Sequence, residues 1–315
     1  MLVFRRPPMS NKNDVQNEIL MAKNLSQDTI RRKYLADLYE YTHNDTIIYS
    51  SAFTSNKMPN LPSQFVSITS EDIQGFMSAL QGLKGKTLDI IIHSPGGSLE
   101  VADQLVQYLR QKYNYIRAIV PQNAMSAATM LACACDEIVM GKHSAIGPID
   151  PQITFPTPNG AFTAPAQSIL DEFERAKTEI MINPAAAAIW INRIQQYPQG
   201  FLQICENTIN LSKDKVAEWL DSYMFKDSEK KGRKIADWLG DAKTHKTHGR
   251  PIGKELAESI GLKITSLESD QELQEKVLTV YHATMVTHEI TNCMKMIENH
   301  NGKGWFLNIE LQQKN

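Results

Sequence analysis

The sequence predicts an α/β fold in which buried parallel strands alternate with helices. Three mostly apolar runs have the length and content of strands buried on both faces: Leu88–Ile92, Tyr115–Val120 and Asp136–Met140. The first two are each followed by a turn and a helical pattern, at Leu99–Lys112 and Ala127–Cys135. Strands and helices that alternate at such short intervals along the chain are typical of a parallel sheet covered by helices.

The chain on both sides of this segment is predicted to be largely helical. Helical periodicity covers 14–42, 166–182, 185–196, 201–210, 213–223, 228–239 and 271–299. Residues 151–165 are rich in proline, glycine and threonine, which predicts an exposed loop. We therefore divide the chain into an N-terminal helical extension (1–43), a core (44–265) and a C-terminal helix with a tail (266–315).

Composition excludes several classes of function. The chain has 315 residues, of which 42% are apolar and 22% charged, as in an ordinary soluble globular protein with a sizeable core. A formal net charge of −2 gives no reason to expect a nucleic-acid partner. No apolar stretch reaches the ~20 residues that span a bilayer, and the first ten residues do not resemble a secretory signal. The four cysteines lack metal-ligand spacing, so we expect reduced thiols, a cytoplasmic location and no metal or cofactor.

Two turns carry the candidate functional residues. Each follows the C-terminal end of a predicted strand and precedes a helix, which is where α/β sheets bind ligands. The first turn is Ser94–Ser98, and its consecutive residues Gly96 and Gly97 allow a substrate to approach the backbone closely. Their N–H groups at the head of a helix suit an oxyanion or an extended peptide. The same pattern also fits a purely structural turn.

The second turn places one serine among small residues. Ser126 begins a predicted helix, whose N-terminus stabilises a developing alkoxide. Its small neighbours leave room for a substrate carbonyl at the hydroxyl. The N–H of Ala127, together with that of Gly96 or Gly97, would form an oxyanion hole. The alternative is that Ser126 serves only as the N-cap of the helix.

Three stretches resemble a known family: IIIHSPGG, AMSAATMLACACDEIVMGKHSAIGPID and HGRPIGKELAESIGL. They are similar to the core of the Clp/signal-peptide-peptidase-like serine proteases, and in particular to the serine dehydrogenase proteinase branch, over roughly Lys33 to Ile264. The resemblance implies a ClpP/crotonase-like fold and peptide-bond hydrolysis through an acyl-enzyme on Ser126. It also implies a homo-oligomer, and a peptide or unfolded protein as substrate.

The resemblance leaves the general base open. The Clp proteolytic subunit uses a histidine shortly after its serine, whereas the corresponding stretch GPIDPQI has none. Signal-peptide-peptidase relatives use a serine–lysine dyad, which points to Lys177, 51 residues after Ser126. Lys177 shares a helical stripe with Ile169, Phe173 and Ile180, which predicts partial burial. Burial is needed, because a lysine that acts as a base must have its pKa lowered from about 10.4 to roughly 7–8.

Other bases and other functions remain open at this point. Lys142 lies at a strand end, His245 and His248 lie in a polar loop, and Asp150 could orient a base, whereas His143 is expected at the surface. A crotonase-like acyl-CoA enzyme would use the same amides without a serine nucleophile. A catalytically silent scaffold would keep the fold but lack a base. No GxxxxGK[ST] motif is present, so ATP-driven unfolding of a substrate would require a partner.

Overall fold

The computed structural model describes residues 11–21, 27–55, 62–157 and 160–309. The chain forms two compact units, the first made of residues 1–146 and 252–315 and the second of residues 147–251. Parts of the predicted N-terminal extension (1–10 and 22–26) and the end of the predicted tail (310–315) lie outside the described residues.

The elements of the described residues are numbered in chain order. The strands are β1 (Asp45–Ser51), β2 (Thr87–His93), β3 (Tyr115–Val120), β4 (Asn123–Ala124), β5 (Glu137–Met140), β6 (Ala145–Ile146), β7 (Gln152–Thr157), β8 (Gly160–Pro165), β9 (Ile252–Gly253), β10 (Ile264–Ser266), β11 (Cys293–Asn299) and β12 (Gly304–Asn308). The α-helices are α1 (Lys12–Met21), α2 (Gln27–Thr42), α3 (Glu71–Leu80), α4 (Leu99–Lys112), α5 (Ala127–Cys133), α6 (Ala166–Ile182), α7 (Ala187–Ile194), α8 (Phe201–Trp219), α9 (Gly232–Leu239), α10 (Ala242–His245), α11 (Lys254–Ser259) and α12 (Gln271–Ile290).

A seven-stranded sheet forms the centre of the first unit, in the order β10-β5-β3-β2-β1-β11-β12. The five strands from β10 to β1 are parallel, and β11 and β12 are added antiparallel at the β1 edge. The α/β class predicted from the alternating strands and helices is therefore confirmed. A small second sheet, β4-β6-β9, lies in the same unit.

Helices cover both faces of the central sheet because its strands are apolar on both sides. On one face, the aliphatic side chains of the parallel strands form a buried cluster with α2 and α12, to which Ile48, Ile91, Ile119 and Val139 contribute. On the other face, α3 packs so closely on β11 that a Cβ on Gly75 would lie 2.4 Å from Cδ1 of Ile297.

The C-terminal segment differs from its prediction. The predicted helix 271–299 ends at Ile290, and residues 293–299 form β11, which pairs with β1 inside the sheet. The tail forms the edge strand β12. Lys295 and Glu298 give this stretch a helical, polar appearance in the sequence, but both are fully buried beside charged partners.

Two buried ion pairs attach β11 to the helices. Lys295 Nζ lies 2.6 Å from Asp72 Oδ1 of α3. Glu298 accepts hydrogen bonds from Arg31 Nε at 2.8 Å and Arg32 Nε at 2.6 Å, both of α2. Because an unpaired charge in a protein interior is strongly destabilising, each of these side chains requires its partner.

The second unit is mainly helical, as predicted, with one correction in its first part. Residues 151–165, predicted to be an exposed loop, form the antiparallel hairpin of β7 and β8. Its Phe155 packs on Phe201 and Ile169, which joins the hairpin to α8 and α6. The two helices predicted at 201–210 and 213–223 form the single helix α8, which is followed by one turn of π-helix at Leu220–Met224.

The compact units do not share the boundaries of the three predicted segments. The segment after residue 265 supplies α12, β11 and β12 to the first unit, and the predicted core segment 44–265 contains the entire second unit. Among the described residues, no helix has the length and apolar content that crossing a membrane requires.

Buried histidines should make the fold sensitive to mild acid. Burial lowers the pKa of His288 from 6.5 to about 4 and that of His93 to about 3. The unfolded chain takes up protons at these groups below about pH 6.5, whereas the folded chain does not. Their contribution to stability is therefore complete above that pH and is lost as the pH falls.

For His288 alone, the free energy of unfolding should be about 1 kcal/mol lower at pH 5.5 than at pH 7.5. Urea unfolding of the wild type and His288→Gln at both pH values checks this. The variant should be less stable at pH 7.5 but less sensitive to the pH change. An equal pH effect in both proteins would contradict the assignment.

Candidate active site

Ser126 has a strained backbone at the junction of a strand and a helix. It lies between β4 and α5 with φ 53° and ψ −123°, in a region that non-glycine residues rarely adopt. Such a conformation costs about 1–3 kcal/mol and persists only when its surroundings impose it. Ser126 occupies the N-cap position of α5, but its side chain makes no capping hydrogen bond. The N-cap alternative therefore does not account for its hydroxyl group.

The two turns singled out in the sequence lie against each other. A Cβ on Gly96 would lie 2.6 Å from Ser126 Cβ and 2.5 Å from the Met125 carbonyl oxygen. Gly96 has φ +93°, which also favours glycine. Backbone hydrogen bonds join the turns: Met125 N–H donates to the Ser94 carbonyl at 2.9 Å, and Ser94 N–H donates to the Asn123 carbonyl at 3.0 Å.

Two backbone amides at this junction have no acceptor among the described residues. Gly96 N–H donates to Ser94 Oγ at 3.2 Å. The next amide, that of Gly97, makes no hydrogen bond within the described chain, and neither does that of Ala127, the first residue of α5. Of the two glycines predicted to contribute to an oxyanion hole, Gly97 is thus the one with a free donor.

The loop before α3, residues 66–70, is hydrogen-bonded to the glycine turn. Ile68 N–H donates to the Gly96 carbonyl at 2.7 Å, and Ser98 N–H donates to the Ile68 carbonyl at 3.0 Å. Gly97 fits only because it lacks a side chain, since a Cβ there would lie 2.4 Å from the Ile68 nitrogen. The orientation of the Gly97 amide therefore depends on where this loop lies.

A buried lysine, which the sequence analysis did not identify, holds that loop. Lys295 Nζ donates to the Ser67 carbonyl at 2.9 Å, to Thr69 Oγ1 at 3.1 Å and to Asp72 Oδ1 at 2.6 Å. Asp72 also accepts a hydrogen bond from Tyr49. Burial, and then the nearby carboxylate of Asp72, raise the pKa of Tyr49 well above its ordinary value. No local pattern in the sequence indicates this network, because its members come from three distant segments.

The predicted burial of Lys177 is wrong. Its side chain is 55% exposed, and Nζ lies 3.0 Å from the Glu174 carboxylate, one helical turn away. The apolar stripe of α6 was correctly located, because Ile169 is buried, but the lysine extends from it towards solvent. The desolvation that would favour its neutral, basic form is therefore absent. Its role as the base stays a prediction.

The other candidate bases have different environments. Lys142 and His143 are exposed. His245 is buried against Trp238 and hydrogen-bonds its carbonyl, and burial lowers the pKa of His245. His248 Nδ1 lies 2.8 Å from Asp150 Oδ1 within the second unit.

His93 is a further residue that the sequence analysis passed over. It ends β2 directly before the glycine turn and is fully buried between Phe53 and Tyr281, with Nε2 3.2 Å from Thr54 Oγ1. Its desolvation, which lowers its pKa to about 3, keeps it neutral near pH 7. Its position inside the motif IIIHSPGG was the only available signal.

The family match agrees with this arrangement. The family model of ClpP-like SDH-type serine proteinases matches residues 60–301. The chain belongs to this family. The resemblance deduced from the glycine and serine turns is thereby confirmed, and the ClpP-like character of the fold with it.

Two individual proteins similar to this chain are both described as uncharacterized, so they add nothing about function. The uncharacterized protein MJ0137 of Methanocaldococcus jannaschii is 31% identical over 219 residues, covering 68% of this chain and 64% of that protein. The uncharacterized protein MJ1495 of the same organism is 28% identical over 200 residues, covering 63% and 59%. The chain thus spans less than two thirds of the length of either relative.

One solved structure is also similar. A mutant of the 1510-N membrane-bound stomatin-specific protease has a TM-score of 0.40 and 16% sequence identity, covering 67% of this chain and 79% of that one.

The close approach at Gly96 predicts that its replacement disrupts the site. In Gly96→Ala, the added Cβ would collide with backbone atoms of Met125 and Ala127 at 2.5 and 2.8 Å. We expect labelling of Ser126 by a fluorophosphonate to slow at least 100-fold, as on loss of an oxyanion donor. Gly253→Ala is the matched control, because a Cβ there meets open space. Equal labelling rates in both variants would refute the importance of this approach.

The Lys295 network predicts a large loss of stability when its charge is removed. Lys295→Met leaves Asp72 buried without its cation, which should lower the free energy of unfolding by about 3–5 kcal/mol. Urea unfolding measures the loss. The exposed Lys303→Met should stay within about 0.5 kcal/mol of the wild type. A loss no larger than that of the control would show that the pair contributes little.

Proposed function

We propose that this chain is a serine peptidase that hydrolyses peptide bonds through an acyl-enzyme on Ser126. The observation that carries the proposal is the junction of the two turns, where a strained serine with an uncapped hydroxyl meets two unpaired backbone amides. A strained strand-to-helix turn that exposes a serine is a recurring way of presenting a nucleophile.

The residues have distinct roles in this proposal. The Ser126 oxygen attacks the carbonyl carbon of a peptide, and the charge moves to the carbonyl oxygen. The N–H groups of Gly97 and Ala127 are the donors proposed for that oxyanion, with Gly96 allowing the turn to approach the serine. The positive end of α5 favours the same negative charge. Removing one such donor typically slows an enzyme 100- to 1,000-fold.

The substrate and assembly belong to the same proposal. An extended peptide or an unfolded protein fits a site made of backbone amides, because these recognise a main chain rather than a particular side chain. A homo-oligomer is proposed from the family resemblance. We propose no nucleic-acid partner, in keeping with the net charge of −2.

A catalytically silent scaffold is the second candidate function. It is favoured by the exposure of Lys177, which leaves the predicted base without the burial it needs. A scaffold would retain the two turns but would not react with a serine-directed probe.

A fluorophosphonate probe tests the proposed function. The wild type should be labelled at one residue, identified as Ser126 by peptide mass spectrometry, and Ser126→Ala should lose the label. Ser259→Ala, which removes an exposed serine of the same unit, should be labelled like the wild type. An unlabelled wild type would favour the scaffold, and label remaining on Ser126→Ala would exclude Ser126 as the labelled nucleophile.

A further inference from the structure

The direction of the Gly97 N–H is set by the peptide group that it shares with the Gly96 carbonyl. In a trans peptide these two groups point in opposite directions. Ile68 N–H donates to the Gly96 carbonyl at 2.7 Å, so this carbonyl faces the loop 66–70. The Gly97 N–H therefore points away from that loop, to the side where it makes no hydrogen bond among the described residues. Any rotation of this peptide group would weaken the bond to Ile68 and turn the amide with it.

A second hydrogen bond fixes the turn on the other side of Gly97. Ser98 N–H donates to the Ile68 carbonyl at 3.0 Å, which makes Ile68 and Gly97 partners in a parallel bridge. Both polar groups of the Ile68 backbone are thus bonded to the glycine turn. Ile68 is therefore the contact through which the loop 66–70 sets the orientation of the Gly97 amide.

One ammonium group holds the residues on both sides of Ile68. Lys295 Nζ donates to the Ser67 carbonyl at 2.9 Å and to Thr69 Oγ1 at 3.1 Å. It also donates to Asp72 Oδ1 at 2.6 Å, so all three of its protons are used. The other oxygen of Asp72, Oδ2, accepts a hydrogen bond from the Thr69 N–H at 3.0 Å. A shift of the loop relative to Lys295 would therefore break hydrogen bonds that a charge strengthens.

The anchor of this loop lies inside the central sheet. Lys295 belongs to β11, where it is paired with Ser51 of β1, and its side chain is fully buried. Tyr49 of β1 reaches the same carboxylate, with its hydroxyl oxygen 2.6 Å from Asp72 Oδ2. The loop 66–70 is thus attached to two paired strands of the seven-stranded sheet.

Stability alone does not explain why charged groups occupy this position. Apolar side chains of similar volume are often at least as stabilising as a buried ion pair. An apolar side chain at position 295 could fill the same space, but it could not donate to Ser67 and Thr69. What the ammonium group adds is therefore a fixed position for the loop that carries Ile68.

We propose that Lys295 and Thr69 are positioning residues that set the direction of the Gly97 amide for the oxyanion. This inference rests on the proposed peptidase function. Neither side chain has to touch the substrate, because both act through Ile68 and the Gly96–Gly97 peptide group. The oxyanion charge develops only as the bond to Ser126 forms. A misdirected amide should therefore slow the chemical step and leave the binding that precedes it nearly unchanged.

Replacement of Thr69 tests the positioning and leaves the Lys295–Asp72 pair in place. Thr69→Val keeps the shape of the side chain but removes its hydroxyl group. Labelling of Ser126 by a fluorophosphonate, followed on the full chain, gives the rate at saturating probe and the probe concentration for half-maximal rate. The rate should fall at least about 10-fold, because a misplacement of about 1 Å can slow a reaction roughly 100-fold. The half-maximal concentration should stay near that of the wild type.

Two matched variants separate positioning from a general loss of stability. Thr69→Ser keeps the hydroxyl group and should regain most of the rate lost in Thr69→Val. Thr265→Val removes a hydroxyl that donates to Glu137 at 3.1 Å from strand β10, and it should react like the wild type. A wild-type rate in Thr69→Val, or an equal loss of rate in Thr265→Val, would overturn the proposal.

An apolar replacement of the whole network provides a second test. The triple variant Tyr49→Phe, Asp72→Leu and Lys295→Met removes both buried charges together, so it should be more stable than Lys295→Met alone. It has no donor for Ser67 and Thr69, so its rate at saturating probe should be no higher than that of Thr69→Val. A folded triple variant that reacts like the wild type would show that the network serves stability alone, and the positioning role would be wrong.

The outcomes distinguish this inference from the function on which it rests. If wild-type Ser126 is never labelled, the peptidase function fails, and the positioning role fails with it. If Ser126 is labelled but the Thr69→Val and triple variants react normally, only the positioning role fails.

Discussion

The close approach of the Gly96 backbone to Ser126 is the constraint on which the candidate site depends. A side chain on Gly96 would occupy space taken by Ser126 and Met125, so the two turns can meet only where a glycine stands. This contact brings the backbone nitrogen of Ala127 next to the glycine turn, in which the N–H group of Gly97 makes no hydrogen bond among the described residues. The strained backbone of Ser126 is sustained by the hydrogen bonds that join the turns.

Buried charges support this junction through the loop that precedes α3. Lys295 holds the loop that contains Ile68, and Ile68 in turn holds the glycine turn by two backbone hydrogen bonds. Ion pairs of this kind contribute little net stability, but they penalise any arrangement that separates the partners. The C-terminal strand β11 is thereby linked to the geometry of a turn some 200 residues earlier in the chain.

The sequence predicted those parts of the fold that local pattern controls. The parallel strands appear as apolar runs because both of their faces are buried, and α6 was located to the residue by its periodicity. Strand β11 was missed because Lys295 and Glu298 look solvent-exposed until their partners Asp72 and Arg31 are known. Lys177 was placed correctly on its helix, but helical position does not determine whether a long side chain reaches solvent.

What the sequence determined by itself is the chemistry available: a serine at a helix start, a pair of glycines after a buried strand, and membership of a proteinase family. Those features depend on residues adjacent in the chain, so they can be read without coordinates. Only the tertiary structure decided which glycine amide is free, which lysine is buried and which histidine faces a carboxylate. These properties depend on contacts between distant segments, where burial and pairing set the free energy of each charge.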